Sequence, residues 1–154
     1  MKHLKLFVFL LMVTGISGCD QNRNISQHAK NTFKSMYSNA SSVSWEIKSG
    51  YNVADFRHDG KEKEAWFDQD GVWWLTESEI PVSNLPDNIR NIIREGQYGN
   101  WNMNSVNYIE KKDSGPFYVI EMEQNDTDIH LYYNVDGSFI KETSDDRDHH
   151  LPYS

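Results

Sequence analysis

Asp-Gly occurs three times, at Asp59-Gly60, Asp70-Gly71 and Asp136-Gly137, each time between segments in which apolar and polar residues alternate. Glycine accepts the positive φ that a tight hairpin turn demands, so this dipeptide between alternating runs is among the strongest short-range hairpin signals. Strands are predicted over 43–48, 51–57, 63–68 and 72–77, and again near 105–111, 117–123, 128–134 and 138–143. Two helices interrupt them. Ser26 is placed to cap the first, whose apolar stripe is Ala29, Phe33, Met36 and Tyr37. The second fits 86–95, with Pro86 in its first turn, Ile89, Ile92 and Ile93 as its stripe and Gly96 past its end.

The two sets of strands echo one another. A shift of 66 residues lays Asp70-Gly71 on Asp136-Gly137, Phe67 on Tyr133, Trp66 on Tyr132 and Val53 on Val119. A shift of 63 lays Val43 and Trp45 on Val106 and Tyr108. This predicts an α+β fold of two tandem units, 27–79 and 84–143, each a helix followed by a four-stranded antiparallel meander. The domain would then be two-layered, with one face of the sheet left open.

The stretch Asp68-Gln69-Asp70-Gly71 partly matches the opening of a calcium loop. Such a loop needs further oxygen ligands, a bidentate Glu near its end and helices on both sides. Here the flanks read as strands, and apolar residues from Val72 to Leu75 stand where ligands would be required, so a hairpin turn is expected and no metal. With Gly71 left-handed in a three-residue loop, Phe67 pairs with Trp73, Trp66 with Trp74, Ala65 with Leu75 and Glu64 with Thr76. One face then carries Ala65, Phe67, Trp73 and Leu75 toward the helices, joined by Ala54, Phe56, Ile120, Met122, Leu131, Tyr133 and Phe139.

The opposite face collects Tyr51, Val53, Asp55, Arg57, Glu64, Trp66, Trp74 and Thr76 from the first unit. From the second it collects Phe117, Val119, Glu121, Glu123, His130, Tyr132, Ile140 and Glu142. Exposed aromatic patches rimmed by polar groups tend to be interaction sites. Tyr51, Val53, Arg57, Trp66, Trp74, Phe117, Val119, His130, Tyr132 and Ile140 are therefore the candidate partner-binding residues. Cross-strand packing alone explains any single ring equally well, whereas Tyr51, Val53, Trp66, Trp74, Phe117, Val119, Tyr132 and Ile140 taken together favour binding.

The ends of the chain point to export. A basic start, the apolar run 6–13 and the small residues before Cys19 form a leader too short to span a membrane stably. Ile16-Ser17-Gly18-Cys19 resembles a bacterial lipobox, which implies removal of residues 1–18 and lipidation of Cys19, the sole cysteine. Residues 19–26 would be a polar tether, 27–143 one domain and 144–154 an acidic tail. Cleavage removes Lys2 and Lys5 and no acid, so the 15 basic residues fall to 13 against 23 acids, a net charge of −10. Nucleic acid is excluded as a partner, because phosphate binding needs clustered Lys and Arg. Asp145, Asp146, Asp148, His149 and His150 of the tail read as a solvated charge run rather than a metal site.

Nothing in the chain suggests an enzyme. There is no Gly-x-Ser-x-Gly, His-Glu-x-x-His or glycine-rich phosphate loop, and His28, His58 and His130 sit on separate elements. No cofactor is implied.

The order Val-x-Trp-Glu at 43–46, Gly-Tyr-x-Val-Ala-x-Phe at 50–56, Glu-Ala-Trp-Phe-Asp at 64–68, then Asp-Gly and Thr-Glu, is specific. Together with "LPDNI" at 85–89 and "LYYNVDGSFIKE" at 131–142, it resembles the bacterial family called putative beta-lactamase-inhibitor-like, PepSY-like. The resemblance implies small envelope proteins with two helix-and-meander units and a concave sheet open on one side. In the related beta-lactamase inhibitor that face grips an enzyme; the paired cysteines of that inhibitor are missing here. The expectation is a lipid-anchored envelope protein that binds a protein or peptide through the open face, with a sugar or small-molecule receptor or a structural envelope protein as alternatives.

Overall fold

The computed structural model describes residues 24–144, so the leader, Cys19 and the tail beyond Ser144 lie outside the described residues. Helix α1 spans Gln27–Met36 and is followed by strands β1 (Ser41–Lys48), β2 (Tyr51–His58), β3 (Lys61–Phe67) and β4 (Trp73–Glu79). A short 3-10 turn, Val82–Asn84, leads into α2 (Asp87–Glu95). Then come β5 (Asn102–Lys111), β6 (Phe117–Gln124), β7 (Thr127–Asn134) and β8 (Phe139–Ser144). All eight strands form one antiparallel sheet in chain order, so β4 pairs with β5 and the two meanders are continuous. β1 and β8 are its edges.

Ser26 caps α1 as its residue type predicts: its hydroxyl accepts from the His28 and Ala29 amides. The same hydroxyl donates to the Gln69 carbonyl at 2.7 Å, and the Ser26 amide donates to Asn52 Oδ1 at 2.8 Å. The helix start is thereby fixed to the β3–β4 turn. α1 buries Ala29 and Phe33 against Ala54, Phe56, Ala65 and Phe67, with Tyr37, Trp45 and Trp73 at the margin. α2 buries Ile89 and Ile93 against Val106, Ile120, Met122, Leu131 and Tyr133. The predicted stripes are too wide by one residue each, since Met36 and Ile92 are 40% and 47% exposed. Pro86 precedes α2 as its cap instead of lying inside it.

Parity along β4 and β8 departs from expectation for one physical reason. In each hairpin a bulge inserts an extra residue just after the turn. Phe67 still faces Trp73, but Trp66 then faces Leu75, Ala65 faces Thr76 and Glu64 faces Glu77. Likewise Tyr133 faces Phe139, Tyr132 faces Lys141 and Leu131 faces Glu142. A bulged residue is left without an opposite number and reverses the parity of everything beyond it. Leu75 therefore belongs to the face away from the helices, and Thr76 to the helix side. Glu142 moves to the helix side as well, where it accepts from the Tyr98 hydroxyl.

Candidate functional site

The sheet face away from the helices is built from strands alone. Its two buried clusters are Val53, Trp66 and Leu75, with Tyr51 packed against them, and Ile109, Phe117, Val119 and Tyr132. Neither contains a residue of α1 or α2. Rings are in contact within each: Tyr51 lies 6.0 Å from Trp66 and 6.2 Å from Trp74, and Phe117 stacks on Tyr132 at 6.2 Å. Seven of the sequence-predicted residues thus come together as two groups, one per meander. Arg57 stands apart, paired with Glu62 at 2.9 Å, while His130 lies opposite Glu121 and Ile140 sits on the edge strand.

These groups are not the bare platform that alternation suggests. Val53 is wholly buried and Trp66, Tyr132 and Phe117 are only 5%, 8% and 9% exposed, whereas Ile140 is 43% exposed. Lysines cover the rings. The Lys48 ammonium stands 5.8 Å from the Trp66 ring centroid, Lys112 stands 5.3 Å from Trp74, and Lys141 stands 4.8 Å from Tyr132. Alternation assigns a side chain to a face; it does not show which aliphatic stems lie across that face. Leu75 and Ile109 also escaped the sequence reading. A bulge hid the first, and the second needed the parity of β5, which follows only once β5 is known to pair with β4.

Around Trp66 the electrostatics are organised by one cation. Lys48 Nζ lies 2.9 Å from Glu46 and 2.6 Å from Glu64, whose other oxygen accepts from Trp66 Nε1 at 2.6 Å. Burial works against the Lys48 charge, but the bonds to Glu64 and Glu46 outweigh it and hold the ammonium above its usual range. Asp55 lies opposite Glu64. Its carboxyl is pushed up to about 6, first by desolvation and then by the Glu64 charge. Glu46, Asp55 and Glu64 each bring an oxygen within 4.8 Å of the others, an arrangement that could hold a cation; the Lys48 ammonium already bonds two of the three.

The Asp-Gly turn uses its acid internally. Asp68 Oδ1 accepts from the Asp70 and Val72 amides at 3.0 and 2.9 Å, and Oδ2 accepts from Trp74 Nε1 at 3.2 Å. Gly71 adopts φ +81°, the left-handed value expected of it. Trp73 donates to Thr76 Oγ1 at 2.8 Å, and the Tyr37 hydroxyl meets the same oxygen at 2.6 Å. The tryptophans around the turn therefore serve different layers. Trp73 joins the helix side, while Trp66 and Trp74 join the far face.

Residues 49–141 match the family described as putative beta-lactamase-inhibitor-like, PepSY-like. The chain belongs to this family. It is 33% identical to a BLIP-like protein from Bacteroides fragilis NCTC 9343, covering 85% of this chain and 95% of that one, with a TM-score of 0.76. A DUF2874 family protein from Bacteroides ovatus ATCC 8483 is 27% identical over 79% of this chain and 88% of its own, with a TM-score of 0.74. A putative periplasmic protein from Bacteroides eggerthii DSM 20697, 17% identical over 79% of this chain and 89% of its own, shares the fold at a TM-score of 0.72. No curated protein matches. The fold is thus BLIP-like, two helices on an eight-stranded open antiparallel sheet. Among the described residues no helix is long and apolar enough to cross a membrane.

Proposed function

We propose that this PepSY-like protein is a non-enzymatic, lipid-anchored component of the bacterial cell envelope that holds a protein partner against the helix-free face of its sheet. The observation that carries the reading is the pair of apolar clusters on that face, made by strands and roofed by lysine side chains instead of a helix. A lysine resting on a ring at the surface contributes only about 0.5–1 kcal/mol. Lys112 over Trp74 is such a cover, while Lys48 is held beside Trp66 by Glu46 and Glu64. An arriving surface that displaces Lys112 buries the Trp74 ring in its place, with the surrounding carboxylates selecting polar or basic neighbours. Family membership, and the inhibitor-like naming of the Bacteroides fragilis relative, support a binding role. The leader and Cys19 support the envelope and the anchor. The same element order in both halves, one helix then four strands, supports a tandem origin.

Site-specific photo-cross-linking tests it. A benzophenone side chain at Tyr51 or Trp74 of the full chain, expressed in cells, should give a discrete protein adduct, and one at Ile92 on α2 should not. Adducts from Ile92 alone would move the interface to the helix layer and overturn the reading.

A further inference from the structure

The two hairpins that end the meanders share a turn, a bulge and an aromatic pair across the first rung, yet among the described residues only the first has a strand along its outer edge. β5 covers the outer edge of β4: Leu75 faces Lys111, Thr76 faces Glu110, and the Lys112 amide donates to the Trp74 carbonyl at 2.7 Å. On that covered strand Leu75 is fully buried and Trp73 and Trp74 are partly buried. β8 ends the sheet, and there Phe139 and Ile140, which follow the turn as Trp73 and Trp74 do, are 56% and 43% exposed. An edge strand offers a row of backbone donors and acceptors to any chain that can run beside it.

We propose that β8 is a docking strand: an extended segment of a partner protein pairs antiparallel with Phe139–Ser144 in the position β5 holds on β4, presenting an acid opposite Lys141 and a base opposite Glu142. This is strand addition, in which backbone bonds supply affinity and side chains supply choice. It rests on the reading that the chain binds protein, but places the contact on the sheet edge and not on the ring face.

The charges of β8 determine the kind of partner. Residues directly opposite in an antiparallel pair share a face, and like charges there repel. A second β8 fails on this ground, because the two registers that use most of the strand set Lys141 against Lys141 or Glu142 against Glu142. The β1 strand of a second copy is a poorer fit in the register that β5 uses. In the register of β5 on β4, with β5 and β1 corresponding by the shift of 63, it brings Lys48 opposite Lys141. The positive-φ irregularity at Ser42 also breaks its ladder. A foreign strand with alternating acid and base meets neither obstacle. Lys141 lies over Tyr132 and Glu142 accepts from the Tyr98 hydroxyl, so an incoming strand would add its acid and base to contacts both side chains already make.

The test uses the lipid-free chain and two synthetic peptides. One has the native sequence Asn102–Lys112, which would set Lys opposite Lys141 and Glu opposite Glu142; the other carries Glu110→Lys and Lys111→Glu. Residue-resolved hydrogen exchange should show the β8 amides slowed by the exchanged peptide, with affinity about tenfold above that of the native sequence. Lys141→Glu should reduce or reverse that preference, and Lys141→Gln should weaken it without reversal. Protection of β1, protection of no strand, or equal protection of β8 by both peptides would overturn the proposal. Adducts from Tyr51 and Trp74 are unaffected by any of these outcomes, so a failure here is separable from a failure of the ring-face reading.

Discussion

The β3–β4 and β7–β8 hairpins are built by the same rules and end in different surroundings. Gly71 and Gly137 adopt φ +81° and +92°, and each lies against the first turn of a helix, at His28 and Asn88 respectively. Asp68 and Asp136 both accept amides of their own turns. Tyr37 and Tyr98 reach the equivalent far-strand positions, Thr76 and Glu142. The two large apolar residues after the turn are nevertheless partly buried in one hairpin, Trp73 and Trp74, and 56% and 43% exposed in the other, Phe139 and Ile140. A hairpin's sequence fixes its turn and register, whereas burial of its outer strand depends on what runs beside it.

The sharpest challenge to this comparison is truncation of the rings. Trp66→Ala should cost about 3–5 kcal/mol, because the indole is buried and its N–H bonds Glu64. Trp74→Ala should cost about 1–3 kcal/mol, in keeping with a partly buried ring. Denaturant titration of the variants would read both, and Trp66→Ala melting like wild type would mean the ring is not packed as described.

The glycines come next. A Cβ on Gly71 would meet the His28 backbone carbon at 2.6 Å, while one on Gly137 would meet the movable side chain of Asn88. Gly71→Ala should therefore cost about 2–4 kcal/mol, strain plus overpacking, against about 1–2 kcal/mol for Gly137→Ala. Equal losses in thermal melts would show that the two turns seat against their helices alike.

Asp55 has no counterpart of its kind in the second meander, where Glu121 instead accepts from Ser105 at 2.9 Å. Its folded pKa of about 6 exceeds the 3.8 of a free aspartate, so between those values the native state binds more protons than the unfolded chain. Stability contributed by the protonated carboxyl is present below 3.8 and is lost as pH rises through about 6. Asp55→Asn should raise Tm at about pH 8, leave it nearly unchanged at about pH 4, and flatten the slope between. A lower Tm for the variant at both pH values would contradict the Glu64–Asp55 repulsion. The smallest effect belongs to Ile140→Ala, about 0.5 kcal/mol by the same melts, because 43% of its surface is already exposed.

Much of this was legible in the chain. Asp-Gly turns, strand alternation, Ser26 before the first helix and Gly96 past the second predict both helices and all eight strands, and the 66-residue echo predicts the matching hairpins. Leu75, Thr76 and Glu142 were assigned to the wrong faces because a bulge leaves no mark on composition while reversing parity beyond it. Which of the candidate residues share a face was legible, but their exposure was not. Val53, Trp66, Phe117, Val119 and Tyr132 do share the helix-free face, yet they are sunk beneath lysine stems whose reach depends on the three-dimensional neighbourhood.

Hydrogen exchange of the unbound, lipid-free chain tests most directly whether the two hairpins differ as described. The β4 amides, bonded into ladders on both sides, should all exchange slowly, whereas β8 should alternate between amides held by β7 and amides that exchange nearly as fast as an open strand. Uniform protection along β8, equal to that of β4, would mean that the edge is already occupied and would contradict both its availability and the contrast between the two halves.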